Sequence, residues 1–243
     1  MNIPSLIQEQ NSYAGLTNKI LGKRVSRICV AYDKMEQFFP ADKIIFTGNP
    51  VREGIAPATA DQKAEWIKVY NLDSQKKTIF IVGGSLGART MNETMKKWIV
   101  EKAESADYQI IWQSGKFYKN EIDEFLKDKN LPNVRNLTLI SRMDLAYAAA
   151  DIVVSRAGAG TISELCVCGK AVIFVPSPMV AEDHQTHNAM TLVEKDAALM
   201  VRDAEAVATL MEEAEALLSD EERIKRLETN IIAQGKRNAA EQI

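Results

Sequence analysis

The stretch DIVVSRAGAGTISELCVCGKAVIFVPSP, residues 151–178, is the clearest indication of the fold of this chain. It runs from an apolar strand through a turn of small residues into a helix, and then returns to a second apolar strand. Short, continuously apolar strands separated by helices are typical of a parallel sheet that is covered on both faces. The stretch therefore predicts a strand–helix–strand unit, with Gly158 and Gly160 in the turn and Glu164 about one helical turn later.

The same alternation extends outward over most of the chain. Apolar runs predict strands at 78–84, 108–115, 134–140, 151–155, 171–176 and 197–201. Between and after them, helical patterns cover 88–103, 119–128, 143–150, 160–168, 184–195 and one or two helices from 203 to about 234. Right-handed crossovers would wind these elements into an α/β, Rossmann-like, doubly wound parallel sheet.

The first 46 residues follow a different pattern. They offer three short strands and one helix, which are too few to bury the face of a sheet. These elements either extend the large sheet or belong to another domain.

Composition limits the classes of function. The 243 residues are 46% hydrophobic with a formal net charge of −3, so the chain lacks the basic imprint of a nucleic-acid-binding protein. Three cysteines and the lack of a signal peptide or a long apolar run predict a cytoplasmic protein. A zinc site is not expected from Cys166 and Cys168 at i,i+2 with His184 and His187.

The loop VGGSLGA, residues 82–88, follows a strand and opens a helix. Glycines let backbone N–H groups approach a ligand, and a helix N-terminus attracts anions, so phosphate is the natural ligand. No lysine follows the last glycine, which disfavours an ATP-hydrolysing P-loop. A tight turn without a ligand explains the composition equally well.

The loop SRAGAGTISE, residues 155–164, offers a second set of amides, and Thr161 and Ser163 suit a helix start. Glu164 either complements the helix dipole or accepts hydrogen bonds from the two hydroxyls of a ribose. Two amide-rich loops and a diol-binding acid suggest a nucleoside diphosphate derivative. The polar cluster EDHQTHNA, residues 182–189, suits sugar hydroxyls, although composition alone favours a solvated helix start with Asp183 as its cap.

Five segments taken together resemble the MurG family of bacterial glycosyltransferases: LIQEQNSYAGLTNK (6–19), GNPVR (48–52), GGSLGA (83–88), SRAGAGTISEL (155–165) and DHQTHNA (183–189). The resemblance implies the two-domain GT-B fold and an inverting transfer in peptidoglycan precursor synthesis. N-acetylglucosamine would pass from UDP-N-acetylglucosamine to the undecaprenyl-linked acceptor lipid I, giving lipid II, at the cytoplasmic face of the inner membrane.

The resemblance also implies roles for individual residues. Glu164 would hold the ribose hydroxyls, and Ile140 with Met143 would frame the uracil. Ser85 and Arg52 would address the diphosphate, with the amides of Ala159, Gly160 and Thr161 close to the donor. Gln185 and Asn188 would read the sugar, and Asn11 would face the transferred sugar or the acceptor. The donor-binding set is completed by Gly84, Ile162 and Ser163.

In the family, the N-terminal domain begins with a glycine-rich loop that contains a histidine, and this domain supplies the acceptor and membrane contacts and the general base. That loop is not found here. The catalytic residue is therefore unassigned, and we expect a chain that binds the donor but transfers little alone. The expected division is an N-terminal-domain remnant (1–46), a linker (47–53), the UDP-sugar-binding domain (54–234) and a truncated closing segment (235–243).

Three alternatives stay open: the donor subunit of a split glycosyltransferase, a related UDP-sugar epimerase or lipid galactosyltransferase, and a non-enzymatic scaffold. No cofactor is expected. An Asp-x-Asp motif is not found, so a divalent cation needed for activity would have no visible site.

Overall fold

The computed structural model describes residues 3–243, which form two separate parallel sheets. The smaller sheet has the order β1 (Leu6–Glu9), β2 (Arg27–Val30), β3 (Ile44–Phe46), and α1 (Leu16–Gly22) connects its first two strands. Its own small core consists of Ala14, Val25, Ile28, Val30, Met35 and Phe39. The N-terminal strands therefore do not extend the large sheet, while the exact domain bounds stay a prediction.

The larger sheet is built by strands that alternate with helices. In chain order these elements are α2 (Ala60–Val69), β4 (Thr78–Val82), α3 (Arg89–Glu101), β5 (Gln109–Gln113), α4 (Lys119–Leu126), β6 (Val134–Leu137), α5 (Met143–Ala149), β7 (Ile152–Ser155), α6 (Ala159–Cys168), β8 (Ala171–Phe174), α7 (His184–Val193), β9 (Leu199–Met200), α8 (Asp203–Ser219), α9 (Glu221–Ile232) and α10 (Ala239–Gln242). All its strand pairs are parallel, in the order β6-β5-β4-β7-β8-β9. The predicted doubly wound α/β architecture is confirmed.

Both faces of the large sheet are buried, which explains the continuously apolar strands. In β4, Ile79 and Ile81 belong to one core, whereas Phe80 and Val82 belong to the core on the opposite face. Successive strand side chains point to opposite faces, so a strand covered on both sides needs apolar residues at every position.

The sheet has a topological switch point between β4 and β7. The chain adds β5 and β6 on one side of β4 and then returns to place β7 on the other side, pairing Val82 with Ser155. The loops that follow β4 and β7 consequently diverge, and they leave a crevice at the carboxyl ends of these strands.

Helix α2 is an element that the sequence patterns did not predict. Thr59 caps it by accepting a hydrogen bond from the Gln62 amide, and the Gln62 side chain accepts one from the Thr59 amide. This reciprocal capping box was the signal available in the sequence. The helix is mostly exposed and buries Ile67 alone, so its apolar periodicity is weak.

Candidate functional site

The crevice at the switch point is lined by three loops. They are 82–90 after β4, 155–161 after β7 and 177–185 after β8, with Tyr118 and Asp203 at its margin. We call it the switch-point cleft. All three loops were selected from the sequence, and the fold brings them together because the three strands are neighbours in the sheet.

The glycines of the first loop differ in whether a side chain would fit at their positions. A Cβ on Gly83 would lie 2.7 Å from the Ala88 amide nitrogen, and one on Gly87 would lie 2.3 Å from the Ser114 carbonyl oxygen. Gly84 has a φ of +87° but nothing within 4 Å of its Cβ position, because it faces open space. Gly83 and Gly87 thus shape the turn, and Gly84 leaves its backbone accessible to a ligand.

Gln113, buried at the end of β5, supports this loop and was not identified from the sequence. Its Nε2 donates to the Gly84 carbonyl oxygen at 2.9 Å, and its Oε1 accepts from the Ile140 amide at 2.7 Å. One side chain therefore fixes the glycine loop relative to the chain segment after β6.

The N-terminus of α6 opens into the cleft with no side chain capping it. Its N-cap is Gly158, no acidic residue lies in its first turn, and the first intrahelical bond joins the Ile162 amide to the Gly158 carbonyl. The amides of Ala159, Gly160 and Thr161 precede that bond, so they are free to bind an anion. A Cβ at Gly158 or Gly160 would meet nothing within 4 Å.

Arg156 is a second residue that the sequence patterns did not single out. Its Nη1 donates to the carbonyl oxygens of Val175 and Pro176 at 3.0 and 3.1 Å and forms an ion pair with Asp203. Asp203 also accepts a hydrogen bond from the Thr90 hydroxyl at 2.8 Å. This network ties the loops after β7 and β8 and the start of α3 into one frame around the cleft.

Glu164 is a buried carboxylate, only 4% exposed, on α6, the helix whose first turn lines the cleft. Its Oε1 lies 2.7 Å from Arg52 Nε, and its Oε2 accepts bonds from Arg52 Nη2 at 3.4 Å and from the Tyr147 hydroxyl at 3.2 Å. A buried charge needs a counter-charge and hydrogen bonds. Arg52 pairs with Glu164 in this structure, and its expected contact with a diphosphate stays a prediction.

The two amides selected in the polar cluster have different surroundings. Gln185 lines the cleft, and its Oε1 accepts from the amides of Ala157 and Ser177 at 3.2 and 2.9 Å. Its Nε2 donates to no group among residues 3–243. Asn188 is fully buried in this structure, and its expected contact with the sugar stays a prediction.

Asn188 instead joins α7 to the loop after β1. Its Oδ1 accepts from the amide and the hydroxyl of Ser12 at 2.8 and 3.1 Å, and its Nδ2 donates to Asn11 Oδ1 at 2.9 Å. Tyr13 stacks on His187 beside this contact, with ring centroids 5.2 Å apart. Asn11 thus lies at the junction between the small sheet and the large domain, and its expected position near the transferred sugar or the acceptor stays a prediction.

Four other expected site residues have side chains that contact other parts of the protein. The side chains of Ile140, Met143 and Ile162 belong to the core, and the expected framing of the uracil by the first two stays a prediction. The Ser163 hydroxyl donates to the Ala159 carbonyl and accepts from Asn49. Ser85 remains exposed at the loop tip, where its carbonyl accepts from the Lys116 amide at 3.0 Å.

Within residues 3–243, no three His, Cys, Asp or Glu side chains are grouped so as to hold a metal ion. In the same part of the chain, no helix combines the length and apolar character that crossing a bilayer requires. Cys29, Cys166 and Cys168 are free and buried, and burial raises the pKa of the Cys166 and Cys168 thiols to about 12.

Residues 78–243 match the model of the glycosyltransferase family 28 C-terminal domain. Two relatives named UDP-N-acetylglucosamine--N-acetylmuramyl-(pentapeptide) pyrophosphoryl-undecaprenol N-acetylglucosamine transferase are similar in sequence. The one from Parabacteroides distasonis is 51% identical over 241 residues, which cover 99% of this chain and 65% of the relative. The one from Bacteroides thetaiotaomicron is 52% identical over 232 residues, which cover 95% of this chain and 62% of the relative.

The crystal structure of MurG from Acinetobacter baumannii is similar in fold and sequence. It matches with a TM-score of 0.77 and 27% identity, over 99% of this chain and 65% of that chain. The present chain thus spans a little under two thirds of the length of these relatives.

Proposed function

The chain belongs to glycosyltransferase family 28, and from that membership we propose that the switch-point cleft binds UDP-N-acetylglucosamine as a sugar donor. Its fold is that of the C-terminal half of a GT-B glycosyltransferase. We further propose that the whole protein transfers N-acetylglucosamine to lipid I, giving lipid II. Because this acceptor is a membrane lipid, the proposal places the protein at the cytoplasmic face of the inner membrane.

The observation that carries the proposal is the position of Glu164 relative to the start of α6. Uncapped amides at Ala159–Thr161 suit a diphosphate, and Glu164 follows about 7 Å along the same helix, at a rise of about 1.5 Å per residue. A carboxylate at this distance suits the two hydroxyls of the attached ribose. Phosphate and ribose sites on one helix describe a nucleoside diphosphate.

The same groups would also stabilise the charge that develops during the transfer reaction. The acceptor hydroxyl attacks the anomeric carbon, the bond from that carbon to the diphosphate oxygen breaks, and negative charge develops on the departing UDP. The α6 N-terminus and the backbone around Gly84 are placed to stabilise this charge. The proton of the attacking hydroxyl passes to a general base, a role that we assign to no residue of this cleft.

Binding of the donor requires Arg52 to leave Glu164. The Arg52 side chain is 58% exposed, so it can turn toward the diphosphate without unpacking the core. We propose that the guanidinium exchanges one anionic partner for another. Arg52 would then contact the diphosphate only when the donor is bound. The free Nε2 of Gln185 is the group proposed to read the sugar.

Calorimetric titration of the chain with UDP-N-acetylglucosamine tests the proposal directly. We expect saturable binding of UDP-N-acetylglucosamine and UDP, and at least tenfold weaker binding of ADP, because a purine does not fit a site for uracil. ADP is the matched control, since it keeps the ribose and the diphosphate. Absence of UDP binding, or equal binding of ADP, would contradict the proposed donor. Epimerised sugar after incubation with UDP-N-acetylglucosamine alone would instead favour the epimerase.

Asn188→Ala tests whether the Asn188 side chain has a structural role instead of reading the sugar. Removing a buried amide that satisfies Ser12 and Asn11 is expected to destabilise the chain by about 2 kcal/mol. Amide hydrogen exchange in residues 10–15 should become faster, whereas the ratio of affinities for UDP-N-acetylglucosamine and UDP should stay constant. A selective loss of affinity for the sugar nucleotide would return Asn188 to the sugar-reading role.

A further inference from the structure

Glu164 has two partners that differ in their freedom to move. Arg52 approaches from the mostly exposed stretch 50–54, whereas the Tyr147 hydroxyl reaches Oε2 from inside the protein at 3.2 Å. Tyr147 is 1% exposed. A ligand can therefore replace Arg52 from the solvent side, but it cannot replace Tyr147.

The surroundings of Tyr147 hold its ring in one orientation. It lies on α5, packs edge-on against Phe80 of β4 with centroids 5.8 Å apart, and belongs to the core cluster shared by α5 and α6. Burial, together with the negative charge of Glu164, holds the pKa of the Tyr147 hydroxyl well above its ordinary value. The hydroxyl stays protonated, so toward Glu164 it acts as a hydrogen-bond donor.

We propose that Tyr147 is a positioning residue that orients Glu164 for the two ribose hydroxyls of the donor. The inference rests on the proposed function and assigns a role to a residue outside the sequence motifs. A carboxylate accepts about four hydrogen bonds, and Tyr147 uses one of them on the inner side of Oε2. The outer positions, which Arg52 occupies, are those that a ribose diol takes when Arg52 leaves.

This arrangement has a physical reason. Once Arg52 has left, Glu164 is a buried carboxylate without a cation, and its orientation depends on the remaining fixed donor. Tyr147 is such a donor, and its ring cannot follow the carboxylate into another rotamer because Phe80 and the core hold it. Ribose hydroxyls then meet a carboxylate that is already oriented, and less ordering is required on binding.

Tyr147→Phe, with affinities for UDP and for 2′,3′-dideoxy-UDP measured by calorimetry, tests the inference. The unmutated chain should prefer UDP at least 30-fold, because two hydrogen bonds to a charged acceptor are lost with the dideoxy nucleotide. The variant should reduce this preference at least fivefold and leave the affinity for dideoxy-UDP within about twofold. An unchanged preference, or equal losses for both nucleotides, would overturn the positioning role.

Tyr108→Phe is the matched control. The Tyr108 hydroxyl also donates to a glutamate, Glu215 at 2.7 Å, but Tyr108 precedes β5 at the end of the sheet opposite the cleft. This variant loses the same kind of bond, so it should leave both affinities and their ratio unchanged. A reduced ratio in Tyr108→Phe would show that the readout reports general destabilisation, and it would overturn the inference.

A double-mutant cycle with Glu164→Gln covers the case in which Tyr147→Phe does not fold. If Tyr147 acts through the charge of Glu164, the double variant Tyr147→Phe/Glu164→Gln should fold, and its UDP affinity should differ less than twofold from that of Glu164→Gln alone. Equal destabilisation in both backgrounds would overturn the role, since it would indicate packing alone. Failure of the unmutated chain to bind UDP would overturn the proposed function as well, whereas UDP binding with an unchanged ribose preference in Tyr147→Phe overturns only this inference.

Discussion

Replacing Glu164 with glutamine is expected to weaken binding of UDP and UDP-N-acetylglucosamine about 100-fold, or roughly 3 kcal/mol. Glutamine keeps the shape of the side chain, and its oxygen can still accept from the Tyr147 hydroxyl. What disappears is the charge that strengthens both bonds to the ribose hydroxyls. Isothermal titration calorimetry of Glu164→Gln and of the unmutated chain with UDP measures this difference, and a thermal unfolding curve of the variant shows that the fold is retained.

Glu215→Gln is the control for this substitution. Glu215 has the same kinds of partner, a lysine at 2.9 Å and a tyrosine hydroxyl at 2.7 Å, but it lies on α8 away from the cleft. Its replacement should leave UDP affinity unchanged. UDP binding by Glu164→Gln within threefold of the unmutated chain would mean that Glu164 serves only as the partner of Arg52, and the proposed ribose site would fail.

Gly115→Ala is expected to destabilise the chain by about 4 kcal/mol, which corresponds to roughly 10 °C in Tm. The residue has a φ of +89°, and an added Cβ would lie 2.1 Å from both the Cα and the nitrogen of Gly87. Both contacts are with backbone, so no side chain can move aside to relieve them. Chemical denaturation followed by circular dichroism measures the loss.

Gly84→Ala separates the two causes of this loss. Gly84 has nearly the same φ, +87°, but nothing lies within 4 Å of its Cβ position. Alanine there should cost only the backbone strain, about 1 kcal/mol. Equal losses in the two variants would contradict the clash at Gly115 and leave strain as the whole effect.

The close contact between Gly87 and Gly115 has a consequence for the cleft. It lets the loop after β5 run directly beside the glycine loop, where the amides of Lys116 and Phe117 donate to the carbonyls of Ser85 and Leu86 at 3.0 and 3.2 Å. The glycine loop is thus held from outside before any ligand arrives. Backbone amides of a loop that is fixed in this way can stabilise developing charge without reorganising during the reaction.

Several features of the cleft could not be predicted from sequence, because they depend on pairs of polar side chains. Arg52 pairs with Glu164 across 112 positions and Asn188 bonds to Asn11 across 177, and in each case the residue type also suited a ligand contact. Gln113 and Tyr147 lie in segments whose sequence patterns predict only a buried strand and a helix of small residues. A polar atom bonds to whichever partner the packed chain presents, and local patterns do not specify that partner.

Local sequence patterns were sufficient to predict the strand and helix alternation, the parallel sheet and the glycine loops. These features follow from local requirements: apolar residues at every position of a strand buried on both faces, and glycine where the backbone turns tightly, as at Gly83 and Gly87. The tertiary structure alone decided which glycines face open space and which polar groups are already occupied. That Glu164 has one exposed and one buried partner was likewise visible only in the folded chain, because it depends on distant segments that meet around one buried carboxylate.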